Sequence, residues 1–393
     1  MAKTVVILGA GYAGVPIAHY LLKHTAAKAK GLKVILVAPN THMYWNVASV
    51  RGILPNMMGD DKLFLPIAPA FAKYPSDQYE FVRGVAESVD PSANVVEVRG
   101  NDGSARMIQY DELVIATGSS FKGDMPFKNL SSTEETKDAL HGWAQRIASA
   151  NSIVVAGAGA TGIEIAGELG QEYAVTGKKQ ITLVCDQDLP LSIKFRRDVR
   201  ETAKKELERL KVKVITNAKV SSPAGSKTLT LTKTSASAST PTTLQADLLI
   251  PTYGITPNTS FLPASMLDAR GYVVQTTRLR AQGHDNIFVV GDAGNLQDPQ
   301  GVHADAQAVH VVRLIEARLL AGQQGSLGKE EEEYKPADKI MFAATLGRNK
   351  GTGQVGNWKL WGLLVWFLKG RYLGTDVAGE FVRGERTLSV KAW

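Results

Sequence analysis

Thr4-Val-Val-Ile-Leu-Gly9-Ala-Gly11-Tyr-Ala-Gly14 stands near the start of the chain, and Ser152-Ile-Val-Val-Ala-Gly157-Ala-Gly159-Ala-Thr-Gly162 repeats its pattern further on. In each, a continuous apolar run suits a parallel strand buried on both faces. A glycine turn follows, then a helical stretch, to about Lys30 in the first copy and about Ala174 in the second. A second apolar run closes each unit, Lys33–Val37 and Gln180–Val184. Both read as βαβ units. The first glycine permits a tight turn out of the strand. The second lets the backbone approach a pyrophosphate, and the third lets helix and strand pack closely. The helix N-terminus then turns free N–H groups and a positive dipole end toward the phosphates. A lone GxGxxG is weak evidence; two copies, each after a strand and opening a helix, supply the confirming context.

The composition agrees with two such cores. The 393 residues are 44% hydrophobic and 21% charged, with 37 glycines. That is globular composition, long enough for two or three domains. A net charge of +7 comes without any Lys/Arg block interleaved with aromatics, so no strong nucleic-acid signal is present. The single cysteine, Cys185, excludes an intramolecular disulfide and the CxxC redox pair of disulfide reductases. Met1 to Thr4 run straight into the first strand, which leaves no expected signal or transit peptide, and no apolar run reaches the ~18–20 residues that span a bilayer.

Between and beyond the two units the pattern predicts a loop-rich region over 40–75 and a small antiparallel meander near Tyr79–Val98 and Ala105–Tyr110. A buried strand follows at Asp111-Glu-Leu-Val-Ile-Ala-Thr117-Gly118. Arg196–Leu210 reads as an amphipathic helix, 219–243 as a surface hairpin region, and Ala246–Gly254 as a strand resembling Asp111–Gly118. Asn286-Ile-Phe-Val-Val-Gly291-Asp292 is one more strand, and Ala304–Leu320 a helix. Gly322–Glu333, with four consecutive glutamates, reads as a solvated linker ahead of a C-terminal module.

Four elements thus follow one order: GxGxxG, the Ala-Thr-Gly strand, a second GxGxxG and the Gly-Asp strand. In this the chain resembles the pyridine-nucleotide–disulfide oxidoreductase superfamily. Within it, the chain is similar to the apoptosis-inducing-factor-like, mitochondrion-associated branch that includes the ferroptosis suppressor proteins, with type II NADH dehydrogenases as more distant relatives. Asn46-Val-Ala-Ser-Val-Arg51 and the long motif Leu346-Gly-Arg348-Asn349-Lys-Gly351-Thr-Gly353-Gln354 carry the likeness across nearly the whole chain. The resemblance implies an α/β fold with two Rossmann-like dinucleotide-binding domains of glutathione-reductase type, plus a smaller C-terminal α+β module. The expected boundaries are 1–120 with 265–330 for FAD, 121–264 for NAD(P)H, and 335–393 for the module.

The resemblance also assigns residues. Gly9, Ala10, Gly11, Tyr12, Ala13 and Gly14 would line the FAD pyrophosphate, with Arg51 against the cofactor and Ala86 at the adenine end. Thr117 and Gly118 belong to the same site. Asp292 would bind the ribityl chain or the pyrophosphate side, its alternative being a helix N-cap. Gly157, Gly159 and Gly162 would cradle NAD(P)H, and Glu164 would lie near the nicotinamide and flavin rings; alternatively Glu164 is a first-turn acid favoured by the helix dipole. Two departures stand out. The acid that usually closes the second strand and binds the adenosine ribose is replaced in the first unit by Ala38, followed by Pro39 and Asn40. In the second unit Cys185 takes the place and Asp186 follows one residue late. NADH is slightly favoured over NADPH, and either remains open.

The hydride chemistry belongs to the cofactors, and no metal is needed. His303 is the histidine whose position could approach the flavin; the alternative is a surface or core histidine. In the tail, Trp358-Lys-Leu-Trp361-Gly-Leu-Leu-Val-Trp366-Phe367-Leu-Lys369-Gly-Arg371 sets aromatics beside cations, as an interface-lying helix does. The resemblance implies a quinone-accessible pocket here, with Lys369 near the flavin. The aromatics face lipid or quinone, or else pack onto the FAD domain or a second subunit. The expected activity is transfer of a hydride from NAD(P)H to FAD and then to a quinone or other small-molecule acceptor, at a cytoplasmic site with peripheral contact to a mitochondrial or lipid-droplet surface. The alternatives are a flavoenzyme with a dedicated biosynthetic substrate and a non-enzymatic redox-sensing protein that binds DNA or a partner. Oligomeric state, a dimer included, and chemical modification of the flavin stay open.

Overall fold

The computed structural model describes residues 2–123, 125–222, 226–234, 240–324, 332–337 and 339–393. Each glycine-rich repeat opens one sheet. The first sheet runs in the order Ile287–Val289, Glu112–Ile115, Lys3–Leu8, Leu32–Ala38, Tyr79–Asp90, Val95–Gly100, Ala105–Gln109. Its first five strands are parallel. Val5, Val6, Ile7 and Leu8 are buried, as an apolar run covered on both faces requires. The meander read from the sequence is continuous with this sheet. Tyr79–Arg83 pair in parallel with Val34–Ala38, and past Gly84 the same strand turns antiparallel to Val95–Gly100, with a bulge between Ala86 and Ser88.

The second sheet has four parallel strands, Lys213–Ile215, Gln180–Val184, Ser152–Ala156 and Leu248–Pro251. Two short antiparallel strands, Ser119–Phe121 and Ile255–Pro257, connect the two halves. The first glycine-led helix stops short of the expected Lys30, whereas the second stays helical to the expected Ala174; both end in a π turn. Gly14–Tyr20 passes into a π turn at Leu21–Thr25, and Ala160–Leu169 into another at Gly170–Ala174. The amphipathic helix spans Arg197–Arg209 and the later one Gly301–Gln324. The region read as loop over 40–75 folds into a hairpin, His42–Tyr44 with Phe64–Pro66, and several one-turn helices. The expected hairpin region over 219–243 carries a three-stranded antiparallel sheet, Ala218–Ser221, Thr228–Lys233 and Thr242–Gln245. Most of the glutamate-rich linker lies outside the described residues.

The C-terminal segment is an antiparallel sheet (Met341–Thr345, Gly351–Val355, Trp358–Leu360), a π turn at Trp366–Gly370 and the helix Thr375–Val382. It grips both halves. On the first, the Trp45 indole donates to the Leu373 carbonyl at 2.9 Å and its ring meets Phe381 edge-on at 5.6 Å. Such an aromatic pair adds about 1 kcal/mol beyond its buried area. On the second half, the Thr352 hydroxyl donates to the Val199 carbonyl at 3.1 Å, and Arg348 pairs with Glu172 at 2.8 Å. A Cβ on Gly167 would stand 2.5 Å from the Gly347 nitrogen, so only glycine lets helix and hairpin approach this closely. The long motif at 346–354 is therefore the docking face of the hairpin.

Candidate functional site

The two glycine turns divide their work in the same way. Gly9 and Gly157 take φ +107° and +99°, a region that side chains avoid. A Cβ on Gly9 would lie 2.3 Å from the Ala116 carbonyl oxygen, and one on Gly157 3.0 Å from Thr252 Oγ1. A Cβ on Gly14 would fall 1.8 Å from the Gly9 oxygen, and one on Gly162 2.0 Å from the Gly157 oxygen. These four glycines are required by packing. Gly11 and Gly159 differ: a Cβ there meets nothing within 4 Å. Their bare backbones face open space at the start of a helix whose first turn has no side-chain cap. That is the shape and polarity a diphosphate needs.

Both turns line one cavity of about 1770 Å³ that runs between the two halves. Ala10 and Ala13 line its wall as well. Tyr12 borders it, its ring packed on Trp45 at 5.1 Å and Phe381 at 5.8 Å, and burial holds its hydroxyl well above the ordinary tyrosine range. At the end of Leu32–Ala38, Asn40 is buried and its Oδ1 accepts no hydrogen bond. Asn40 is a lining residue of this cavity, and an unpaired buried acceptor on it costs free energy unless a donor reaches it; a ribose hydroxyl is such a donor. Together with the open glycines, it makes the residues present fit a bound dinucleotide.

Ala86, Thr117, Gly118 and Asp292 line the same cavity. Thr117 and Asn258 exchange two hydrogen bonds, at 2.7 and 2.9 Å, which fix the turn into the connecting strand. Asp292 Oδ2 accepts from Ser119 Oγ at 2.8 Å and pairs with Lys128. Lys128 and Ser119 went unnoticed in the sequence, because Lys128 sits in an irregular loop and neither carries a periodic or motif signal. The carboxylate and ammonium stand together at the cavity wall, a strong hydrogen-bonding pair for hydroxyls or phosphate.

At the far side of the cavity Glu164 and Lys369 meet. Lys369 Nζ lies 2.7 Å from Glu164 Oε1 and 3.0 Å from the Ala343 carbonyl oxygen. Glu164 Oε1 also accepts from the Thr345 amide at 2.9 Å and from the Thr345 hydroxyl at 3.3 Å. The carboxylate is buried and the ammonium is partly open to the cavity. This pair can hold a proton beside a small molecule bound in the cavity.

Other expected residues stand elsewhere. Arg51 does not line the cavity. Its guanidinium is engaged by Glu168 Oε1, at 2.7 and 3.1 Å, and by the Gly370 carbonyl at 3.0 Å. Nothing in local sequence could reveal a partner 117 residues away. Asp186 is exposed past the end of Gln180–Val184, and its carbonyl accepts from the Thr234 hydroxyl. His303 is half-buried and absent from the cavity lining, its Nδ1 donating to the Asp298 carbonyl at 2.8 Å. Of the tail aromatics, Trp358 and Trp361 are each 81% exposed and Phe367 63%, whereas Trp366 is half-buried.

This fold and cavity define a two-dinucleotide oxidoreductase. The model of the pyridine nucleotide-disulphide oxidoreductase family matches residues 3–311, and the chain belongs to that family. It is 39% identical over 370 residues to oxidoreductase ptaL of Pestalotiopsis fici, covering 92% of this chain and 94% of that protein. It is 25% identical over 392 residues to human ferroptosis suppressor protein 1, covering 97% and 96%. Among solved structures, the sulfide:quinone oxidoreductase of Aquifex aeolicus superposes with a TM-score of 0.76 at 16% identity, covering 98% of this chain and 92% of that one. Family and fold together imply FAD and NAD(P)H as the cofactors. With one cysteine in the chain, this member has no internal disulfide to reduce.

Proposed function

We propose that the chain is a flavin-dependent NAD(P)H oxidoreductase whose electron acceptor is a quinone-class small molecule. One observation carries the reading: the Glu164–Lys369 pair lies in a cavity shared with both glycine turns, and that cavity also reaches Met341, Leu360 and Leu368 beside the exposed Trp358, Trp361 and Phe367. Gly9–Gly14, Asn40, Ala86, Thr117, Gly118 and Asp292 would hold FAD. Gly157, Gly159 and Gly162 would hold the nicotinamide dinucleotide. When bound, the flavin accepts a hydride from the nicotinamide and passes two electrons on. The names of the relatives point the same way: the superposed sulfide:quinone oxidoreductase is named for a quinone.

The side chains supply the rest. A quinone carbonyl becoming a hydroxyl needs a proton, and Lys369 Nζ is placed to give one at the acceptor oxygen. Glu164 holds that nitrogen in place, and the Thr345 amide and hydroxyl hold the carboxylate. The apolar rim lets a poorly soluble acceptor enter while keeping bulk water out. Cations near the same rim, Lys359 and Arg371 among them, suit an anionic lipid surface, and no helix of the described residues is long and apolar enough to cross a membrane.

The test is spectroscopic. Purified protein should be yellow, bleach without oxygen on adding NADH, and recover its colour when menadione is then added. A colourless protein that takes up no flavin sinks the cofactor assignment. A protein that bleaches but recovers no faster with menadione or a short-chain ubiquinone than with buffer sinks the acceptor class.

A further inference from the structure

Three parts of the chain meet at one buried point. Arg51 stands on the helix Ser49–Gly52, in the segment after the first βαβ unit; Glu168 stands on Ala160–Leu169, the glycine-led helix of the second unit; and Gly370 ends the π turn of the C-terminal segment. Arg51 and Glu168 are 6% and 1% exposed. Arg51 directs Nε and Nη2 to one Glu168 oxygen, and Nη2 also reaches the Gly370 carbonyl. The other carboxylate oxygen of Glu168 is buried and accepts no hydrogen bond. An ion pair so enclosed is a weak source of stability, because desolvation offsets most of its attraction.

The neighbouring turn shows what the pair does. Glu164 and Glu168 are four residues apart on one helix, so they share a face. Each carboxylate holds a cation delivered by another part of the chain: Lys369 on Glu164, Arg51 on Glu168. Arg51 is bonded, moreover, to the residue directly after Lys369. The widened π turn at Trp366–Gly370 is a local departure from helix geometry that its surroundings must hold. We propose that Arg51 and Glu168 are positioning residues: they fix the Trp366–Gly370 turn against the helix Ala160–Leu169, so that Lys369 Nζ stays on Glu164 at the cavity wall. The consequence for electron transfer rests on the acceptor-side role of Lys369; the geometric claim stands apart from it.

The test uses the full-length FAD-loaded protein and the variants Arg51→Lys and Glu168→Gln, each also made in a Lys369→Met background. Arg51→Lys keeps the buried charge but loses the fork, and it carries the test should Glu168→Gln fail to fold. Lysine labelling by acetic anhydride, read by mass spectrometry, should show Lys369 reacting about tenfold faster in the variants while the exposed Lys194 is unchanged. Stopped-flow traces should show menadione reoxidation slowed about tenfold or more, with NADH-driven bleaching unchanged. That slowing should vanish in the Lys369→Met background, since effects acting through one group do not add. Unaltered Lys369 labelling, or equal slowing with and without Lys369, overturns the proposal. Faster labelling in the variants, together with a Lys369→Met protein that reoxidises normally, would uphold the positioning claim and remove the acceptor role.

Discussion

Lys369 and Glu164 lie 205 positions apart in the chain and 2.7 Å apart in space. One comes from the π turn of the C-terminal segment, the other from the second turn of the second glycine-led helix, where no acid occupies the first turn. If that pair serves the acceptor, its removal should split the catalytic cycle. Lys369→Met should bind FAD and bleach with NADH at the wild-type rate. Its reoxidation by menadione should fall by about a hundredfold, the range of a lost proton donor. Equal loss in both half-reactions would mean that the lysine serves the site's structure and not the acceptor.

The glycines separate folding from binding. Gly14→Ala puts a methyl 1.8 Å from the Gly9 oxygen, so the turn must move and the protein should be destabilised by roughly 2 kcal/mol or more. Gly11→Ala adds a methyl facing open space. It should unfold at nearly the wild-type urea concentration yet purify with little flavin. Gly159→Ala should keep its flavin and show a raised KM for NADH. A Gly11→Ala protein with full flavin content would place the diphosphate elsewhere.

The two turns were legible because their meaning is local. Each needs only a strand, three glycines and a helix, all within about a dozen residues of sequence. Glu164 and Lys369 could each be named from the family likeness, but their meeting depends on how the hairpin at 346–354 docks, which no spacing encodes. Arg51 shows the opposite failure. A conspicuous arginine after the second strand suggests a cofactor cation, and the structure engages it with Glu168 on the other half of the molecule. Lys128 had no signal at all, because its partner Asp292 is 164 residues away.

Asn40 offers a sharper view of the ribose end. Its Oδ1 is buried without a donor. Asn40→Leu should leave the flavin-free protein as stable as wild type or slightly more so, since an unmatched polar atom disappears. FAD affinity should fall about fivefold to tenfold, the worth of one hydrogen bond of about 1 kcal/mol. Flavin fluorescence titration measures it. Unchanged affinity would show that the cofactor's donor lies elsewhere.

The exposed aromatics predict surface behaviour. Trp358→Ser with Trp361→Ser should abolish flotation with vesicles containing anionic lipid and leave menadione reduction in solution near normal, because both indoles point outward. Trp366→Ser should instead lower stability, as that ring is half-buried. A wild-type protein that never floats would assign the apolar surface to another partner.

Stability against pH follows from two buried groups of opposite sign. His19 is enclosed between Phe71, at 3.9 Å, and hydrogen bonds to Tyr74 and the Val382 carbonyl. Burial pushes its pKa from 6.5 down to about 3. Between those values the unfolded chain takes up a proton that the folded chain refuses, so stability is lost as pH falls through that window, by about 1.4 kcal/mol per unit. Glu112 runs the other way. Burial lifts its carboxyl from 4.5 to about 7 in spite of Arg318, so the folded chain keeps a proton that the unfolded one releases. Its contribution is present below 4.5 and lost as pH rises toward 7. From 4.5 to 6.5 the two slopes oppose one another, and the pair together should leave urea midpoints nearly level. Removing one partner exposes the other: His19→Gln should lose stability as pH rises across that interval, and Glu112→Gln should gain it. Slopes of the same sign in both variants would show that one of the two groups does not hold the protonation state its burial dictates.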